Sequence, residues 1–315
     1  MAKPARRGAE IENRVITHIN ENTGIGAKIV SYLKQLTGRD LTSCRAQKTG
    51  KSERKADIKV KCNNATLYIS VKSYEPKADY NHVERGYVDD YRYKWNLPES
   101  VYKALKLFVG EVDEKGNPLP RKQFVNKAKE ISSNVNLIIN ELNERARQGL
   151  IDENEKRELM KEIEKKGVTP GLIGKMRRLT FNQINHIDEQ LVRDVLNFFK
   201  QNKKFVVKNI LVGDLNEDCL FFLVVKIERN MCCYYIARAS RVIEIYSQGE
   251  VTISKEGNLL IGKVELQRKG GNRWTKERKW WDEAANQIQF KISPSEITRD
   301  FNTVMIDCEM CYEHE

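Results

Sequence analysis

Apolar and polar residues alternate along two short stretches near the front of the chain, Asp57-Ile-Lys-Val-Lys61 and Leu67-Tyr-Ile-Ser-Val-Lys72. A period of two predicts half-buried strands. Asn63 and Asn64 lie between them and tolerate the left-handed backbone of a tight hairpin turn. Folding there sets Val60 opposite Leu67, Ile58 opposite Ile69 and Asp57 beside Ser70. Ile58, Val60, Leu67, Ile69 and Val71 then face a core, and Asp57, Ser70 and Lys72 share the other face.

Elsewhere the period lengthens. Residues 9–22 read as an amphipathic helix with Ile11, Val15, Ile16 and Ile19 on one side, and 26–37 as a second helix ended by Gly38. A helical pattern runs over 79–110, broken at Trp95–Pro98, with Val101, Leu105, Phe108 and Val109 facing inward. Residues 111–121 form a turn-rich connector holding Gly116, Pro118 and Pro120. Residues 122–202 are almost wholly helical, with a stretch at 151–166 charged nearly all round. From 203 onward strands are expected at 205–212, 220–227, 233–237, 250–254, 259–267 and 287–292. The fold class is therefore α/β (α+β): a mixed sheet flanked by helices, a helical middle and a β-rich C-terminal part. The expected division is 1–115, a core with the hairpin; 116–203, a helical insertion; and 204–315, a β-rich part intertwined with the core.

Composition narrows the classes. The chain has 315 residues, 40% hydrophobic and 31% charged, and its longest apolar runs are strand-length, far too short to span a bilayer. No secretory leader is expected at the start, and seven scattered cysteines suggest no disulfide framework, so a reduced, cytoplasmic protein is the expectation. No Gly-x-x-x-x-Gly-Lys-Ser/Thr loop and no His-Glu-x-x-His pair is present, which sets aside P-loop nucleotide hydrolysis and that kind of zinc hydrolase. The net charge of +11 favours a polyanion. Arg45, Lys48, Lys51, Arg54, Lys55, Lys59 and Lys61 surround Asp57, opposed only by Glu53. A second group, Arg268, Lys269, Arg273, Lys276, Arg278 and Lys279, lies among Trp274, Trp280 and Trp281. Both suit phosphate contact.

A carboxylate beside an ammonium on a strand pair suits metal-dependent phosphodiester hydrolysis, where a hard cation needs one or two carboxylates. Asp57 is the first ligand, the Val71 carbonyl and the Ser70 hydroxyl are further donors, and Lys72 orients water or stabilises developing charge. Asp57, an intervening turn and Ser70-Val71-Lys72 resemble the PD-(D/E)XK nuclease motif in the variants found among type II restriction endonucleases. The chain departs from that pattern at Ser70, where an acid is usual, and at Ala56, where a proline is usual. Gly8-Ala-Glu-Ile-Glu12 is similar to the family's Gly-x-x-x-Glu on an N-terminal helix, which makes Glu12 the compensating metal ligand, with Glu10 the alternative. Asn81-His-Val-Glu-Arg85 after the catalytic strand, and Gln267-Arg-Lys-Gly-Gly271 with Gln287-Ile-Gln-Phe-Lys291, resemble segments of the same class.

The resemblance implies a PD-(D/E)XK-like, Mg²⁺-dependent endonuclease cutting double-stranded DNA at a short sequence. It further implies a homodimer, no membrane partner and a cognate DNA methyltransferase. Residues 116–203 would dimerise the protein or clamp DNA. Arg45, Lys48, Lys55, Asn81 and His82 are the expected backbone contacts. Gln267, Arg268, Lys269, Gln289 and Lys291 are the expected readers, since Gln and Arg or Lys make two-point contacts with adenine and guanine edges. Gln267 and Lys269 share one strand face, as do Gln287, Gln289 and Lys291, giving a polar comb. Two other readings remain open: a structure-specific repair or recombination nuclease, and a DNA-binding protein whose hairpin has lost catalysis at Ser70. Cys308-Glu-Met-Cys311 with His314 has zinc-like spacing, against which stands a tail with free thiols.

Overall fold

The computed structural model describes residues 4–22, 24–50, 55–269 and 286–311. Helices α1 (Pro4–Glu21) and α2 (Gly24–Thr37) lead into β1 (Arg45–Lys48), β2 (Ile58–Cys62), β3 (Ala65–Tyr74) and β4 (Asn81–Gly86). Then come α3 (Val88–Lys94), α4 (Glu99–Val109), α5 (Arg121–Ile131), α6 (Val135–Arg147), α7 (Glu153–Lys166), α8 (Pro170–Arg177), α9 (Phe181–Ile187) and the long α10 (Glu189–Leu211). The last third holds β5 (Leu220–Glu228), β6 (Met231–Arg238), α11 (Ala239–Ser247), β7 (Val251–Ile253), β8 (Leu259–Ile261), β9 (Val264–Arg268), β10 (Ile288–Ile292) and β11 (Val304–Met310).

The larger sheet runs β1-β2-β3-β5-β6-β11, antiparallel except for the parallel pair β3 and β5. The expected mixed sheet flanked by helices is the one observed. Three of its strands come from the front of the chain and three from the last third. One face packs Ile58, Val60, Leu67, Ile69 and Val71 against Ile11, Val15 and Ile19 of α1 and Ile25, Ile29 and Leu33 of α2. The two helices cross closely: a Cβ on Gly26 would sit 1.8 Å from the His18 carbonyl oxygen, so only glycine fits. The opposite face, with Phe222 and Val224, shares a core with α4, α10 and α11.

The smaller sheet runs β4-β10-β9-β8-β7, antiparallel throughout. Val264, Leu266, Ile288, Phe290 and Ile292 press onto the core of α4 and α10. Helices α5 to α8 enclose a third cluster around Phe124, Ile138, Leu142 and Ile173.

The hairpin has the expected register, Ile58 opposite Ile69 and Val60 opposite Leu67, and Cys62 opposite Ala65 leaves Asn63-Asn64 as the two-residue turn. Four expectations need correction. Residues 205–212 are not a strand but the end of α10. Val206, Val207, Ile210 and Leu211 recur one helical turn apart and are buried, while Phe205 is 51% exposed. The helical pattern over 79–110 conceals β4, whose short run carries one apolar residue, Val83, too few to reveal a period. The stretch 259–267 is two strands with a reversal at Gly262.

The cysteines form the fourth correction. Cys44 is bonded to Cys62, Cys232 to Cys311 and Cys233 to Cys308, leaving Cys219 free. β11, absent from the sequence reading, pairs with β6 and sets Cys233 directly opposite Cys308. Cys308 and Cys311 are therefore bonded to other cysteines rather than offered to a metal, and His314 lies outside the described residues. Among those residues no helix is long and apolar enough to cross a membrane.

Candidate active site

Asp57 stands immediately before β2, its backbone N–H donating to the Ile69 carbonyl at 2.9 Å. Its Oδ2 is the hub of the site. It accepts the Val71 backbone N–H at 2.7 Å, the Lys72 Nζ at 3.3 Å and, more weakly, the Ser70 hydroxyl at 3.4 Å. Lys72 also donates to the Val71 carbonyl at 3.0 Å, so its ammonium is fixed at two points. Ser70 is buried beneath them. The alternation of β3 makes this possible: Ile69 and Val71 anchor one face while Ser70 and Lys72 are delivered to the other.

Glu12 arrives from α1. Its carboxyl is pushed above the usual range first by burial and then by the neighbouring Asp57 charge, with Lys48 and Lys72 opposing. Lys48, on β1, pairs with it at 3.6 Å. Two acids thus crowd together, with a hydroxyl and a backbone carbonyl near one of them. Among the described residues no group of three or more His, Cys, Asp or Glu side chains gathers to hold a metal. Mg²⁺ binds through one or two carboxylates and keeps several waters, so this donor set suits it. The acidic pair repels itself unless a proton or cation intervenes.

Asp57, Ser70 and Lys72 line a cleft of about 150 Å³ together with Lys55, His82, Val83, Leu211 and Phe222. Lys55 is turned inward, against the Glu84 carboxylate and the Ile210 carbonyl, with the Val83 carbonyl at 3.4 Å. Burial first, then repulsion from Lys94 and Lys72, lowers its ammonium to about 7. The Asp214 carboxylate works against that loss of charge. His82 is exposed at the rim, its imidazole held below the usual range by desolvation and by Lys291 and Arg85. Asn81 donates from its side chain to the Ser73 carbonyl at 3.0 Å and so ties β4 to β3. Arg45 and Lys48 are exposed on β1, while Lys51 and Arg54 lie outside the described residues.

The smaller sheet brings the polar comb to this cleft. Gln289 stands opposite both Gln267 and Arg85, and Lys291 opposite both His82 and Glu265. Because Ile288, Phe290 and Ile292 are buried, Gln289 and Lys291 face the other way, in a row that ends at His82 and the cleft rim. Lys291 is also tied to Glu265 at 3.6 Å and lies over the Tyr80 ring. Lys269 is buried, and its backbone N–H continues the pairing to Gln287. Arg268, expected as a DNA contact beside the comb, points to the opposite face, over the Phe108 ring at 5.0 Å. Gly270, Gly271 and the remaining basic and Trp residues of that segment lie outside the described residues. Glu84 and Arg85, which the sequence reading quoted within residues 81–85 without a role, are set by β4 against Lys55 and opposite Gln289.

Residues 159–298, less than half of the chain, match the model of the R.HinP1I restriction endonuclease family. The expected likeness to type II restriction endonucleases is met by this match. The matched stretch includes Gln267, Arg268, Lys269, Gln289 and Lys291 but not Glu12, Asp57, Ser70 or Lys72. Among solved structures, a crystal structure of the restriction endonuclease MspI in complex with its cognate DNA is similar over 86% of this chain and 80% of that one, with 8% identity and a TM-score of 0.38. No curated protein matches the chain.

Proposed function

We propose that this chain, related to the R.HinP1I restriction endonuclease over residues 159–298, is a Mg²⁺-dependent, site-specific endonuclease of double-stranded DNA. The observation that carries the proposal is the Asp57 carboxylate held between the Val71 N–H and the Lys72 ammonium, with the Glu12 carboxyl beside it.

Asp57 and Glu12 would hold the cation, with the Val71 carbonyl and Ser70 hydroxyl as further donors. When bound, such a cation neutralises the phosphate and lowers the pKa of an attacking water. The protein's own groups do the rest. Ser70 and the Val71 N–H orient the Asp57 carboxylate. Lys72, already aimed by Asp57 and the Val71 carbonyl, donates to the phosphoryl oxygen on which negative charge grows. Lys48 and Arg45 on β1 attract the DNA backbone towards the cleft. The comb of Gln267, Gln289, Lys291 and Arg85 reads base edges in the groove next to the cut phosphate.

In this proposal the enzyme works as a homodimer, matching a two-fold symmetric site. A methyltransferase of the same specificity protects the host's DNA. Incubation of the purified protein with mixed-sequence plasmid and Mg²⁺ tests the reading. Discrete fragments sharing one short sequence, lost on chelation, are expected. Cutting confined to branched DNA would point to a repair nuclease, and DNA binding without cutting under any divalent metal would leave only a DNA-binding protein.

A further inference from the structure

A second charged cleft, of about 320 Å³, opens where the N-terminal end of α9 meets the reversal between β7 and β8. It is lined by Arg178, Arg268, Lys255 and Asn182, with Glu155 and Glu256 as its acids. It shares no residue with the cleft of Asp57 and Lys72.

Its two arginines are under-used. Arg178 gives one terminal nitrogen to Glu155 at 3.1 Å, while its Nε is buried and meets no acceptor. A buried donor left unpaired is costly, and native structures rarely keep one without a reason. Arg268 lies over Phe108, and its guanidinium makes no hydrogen bond or ion pair among the described residues. Its proton is held less tightly than usual, down to about 10, because it is desolvated and because Arg178 repels it. Three cations, Arg178, Arg268 and Lys255, therefore face one cleft with two acids, of which only Glu155 is bonded to a guanidinium, so the donors of the two arginines are not used up. An aromatic floor under Arg268 fixes its plane and leaves its edge free to donate.

We propose that this cleft binds a phosphate group between the guanidiniums of Arg178 and Arg268. The forked donors of arginine match the oxygens of a phosphate, and the excess positive charge is relieved when one enters. The phosphate is either free in solution or part of a DNA backbone. The second source rests on the nuclease reading, and the first does not.

The test uses the full chain, with inorganic phosphate and a short DNA duplex as probes and with divalent metals chelated so that no cutting intervenes. Titration calorimetry follows phosphate against a chloride background of equal ionic strength, and the salt dependence of duplex affinity is measured beside it. If the cleft takes free phosphate, binding is saturable and weakens about tenfold in both Arg178→Gln and Arg268→Gln. If it takes DNA phosphate, free phosphate has no effect, but the slope of log affinity against log salt falls by about 0.9 in Arg268→Gln, as one contact is lost. In either case Glu155→Gln, which removes the competing acid, tightens binding roughly threefold, a gain that misfolding cannot produce. Unchanged phosphate and duplex binding in the Arg268 variant overturns the proposal. So does a loss in the arginine variants without the gain in Glu155→Gln. Plasmid cleavage with Mg²⁺, scored separately, shows whether the nuclease reading stands when the phosphate site fails.

Discussion

Lys55, two residues before Asp57, lies against the carboxylate of Glu84 on β4, with side chains only 11% and 21% exposed. It also reaches the Ile210 carbonyl near the end of α10. The loop that carries the candidate catalytic carboxylate is thereby tied to the edge strand of the sheet that carries the polar comb. Glu84→Gln removes the carboxylate facing a buried ammonium and should cost about 3 kcal/mol of stability below pH 6, where Lys55 keeps its proton, and less above pH 7, where it can shed it. Adding Lys55→Met should recover most of that loss, since replacing both partners removes the uncompensated charge. Urea unfolding of the two single variants and the double variant reads the coupling; equal, additive losses would mean that the pair does not interact.

The Asp57–Lys72 contact is expected to matter for rate more than for affinity. Lys72→Ala should lower the cleavage rate by about 10²–10⁴-fold, the usual worth of a positioned proton donor or acceptor. Asp57→Asn should do at least as much. Duplex affinity without divalent metal should stay within a few-fold of wild type in both, because neither residue carries the bulk of the phosphate contacts. Single-turnover cleavage and gel-shift measurements separate the two effects.

Glu309 on β11 accepts from the Tyr234 hydroxyl at 2.6 Å, meets His18 Nε2 at 2.9 Å and pairs with Arg14 at 3.2 Å, so it pins the helix that carries Glu12. Burial raises its pKa, but the bonds to Tyr234, His18 and Arg14 prevail and leave it below 4.5. A carboxyl depressed in the folded state contributes stability above its unfolded value, and that contribution disappears as pH falls through the folded value. Glu309→Gln should therefore destabilise the protein near neutral pH by about 1–2 kcal/mol. The difference should shrink below pH 4.5, a trend that thermal unfolding across pH 3–7 would reveal. A constant difference would remove ionisation of Glu309 from the account.

Gln289 stands between Gln267 and Arg85 at the middle of the comb. Gln289→Ala should weaken discrimination at one position of the recognition sequence by about 1–3 kcal/mol. Lys48→Ala should lower affinity evenly across sequences and flatten the salt dependence. Cleavage of substrates bearing single mismatches distinguishes the two; a Gln289 variant that loses affinity without losing selectivity would place reading elsewhere.

The sequence by itself determined the hairpin: its turn, its register and the shared face of Asp57, Ser70 and Lys72. These follow from alternation over about fifteen residues, where the contacts are local and one face must be buried. Glu12 was reachable only as a motif likeness, because its approach to Asp57 depends on how α1 packs across the sheet. The order of the sheet was not legible, since β3 pairs with β5 across all of β4 and helices α3 to α10. The same holds for β11 and its cysteine partners. Residues 205–212 show the ambiguity most plainly. A short apolar run suits a strand or a buried helix equally, and packing of α10 against α4 and α11 settled it. Tertiary structure also set β4 beside the cleft, which brings the face of Gln289 and Lys291 next to that of Asp57 and Lys72. Alternation alone put Arg268 on the face away from Gln267, but only packing could set it over the Phe108 ring of α4.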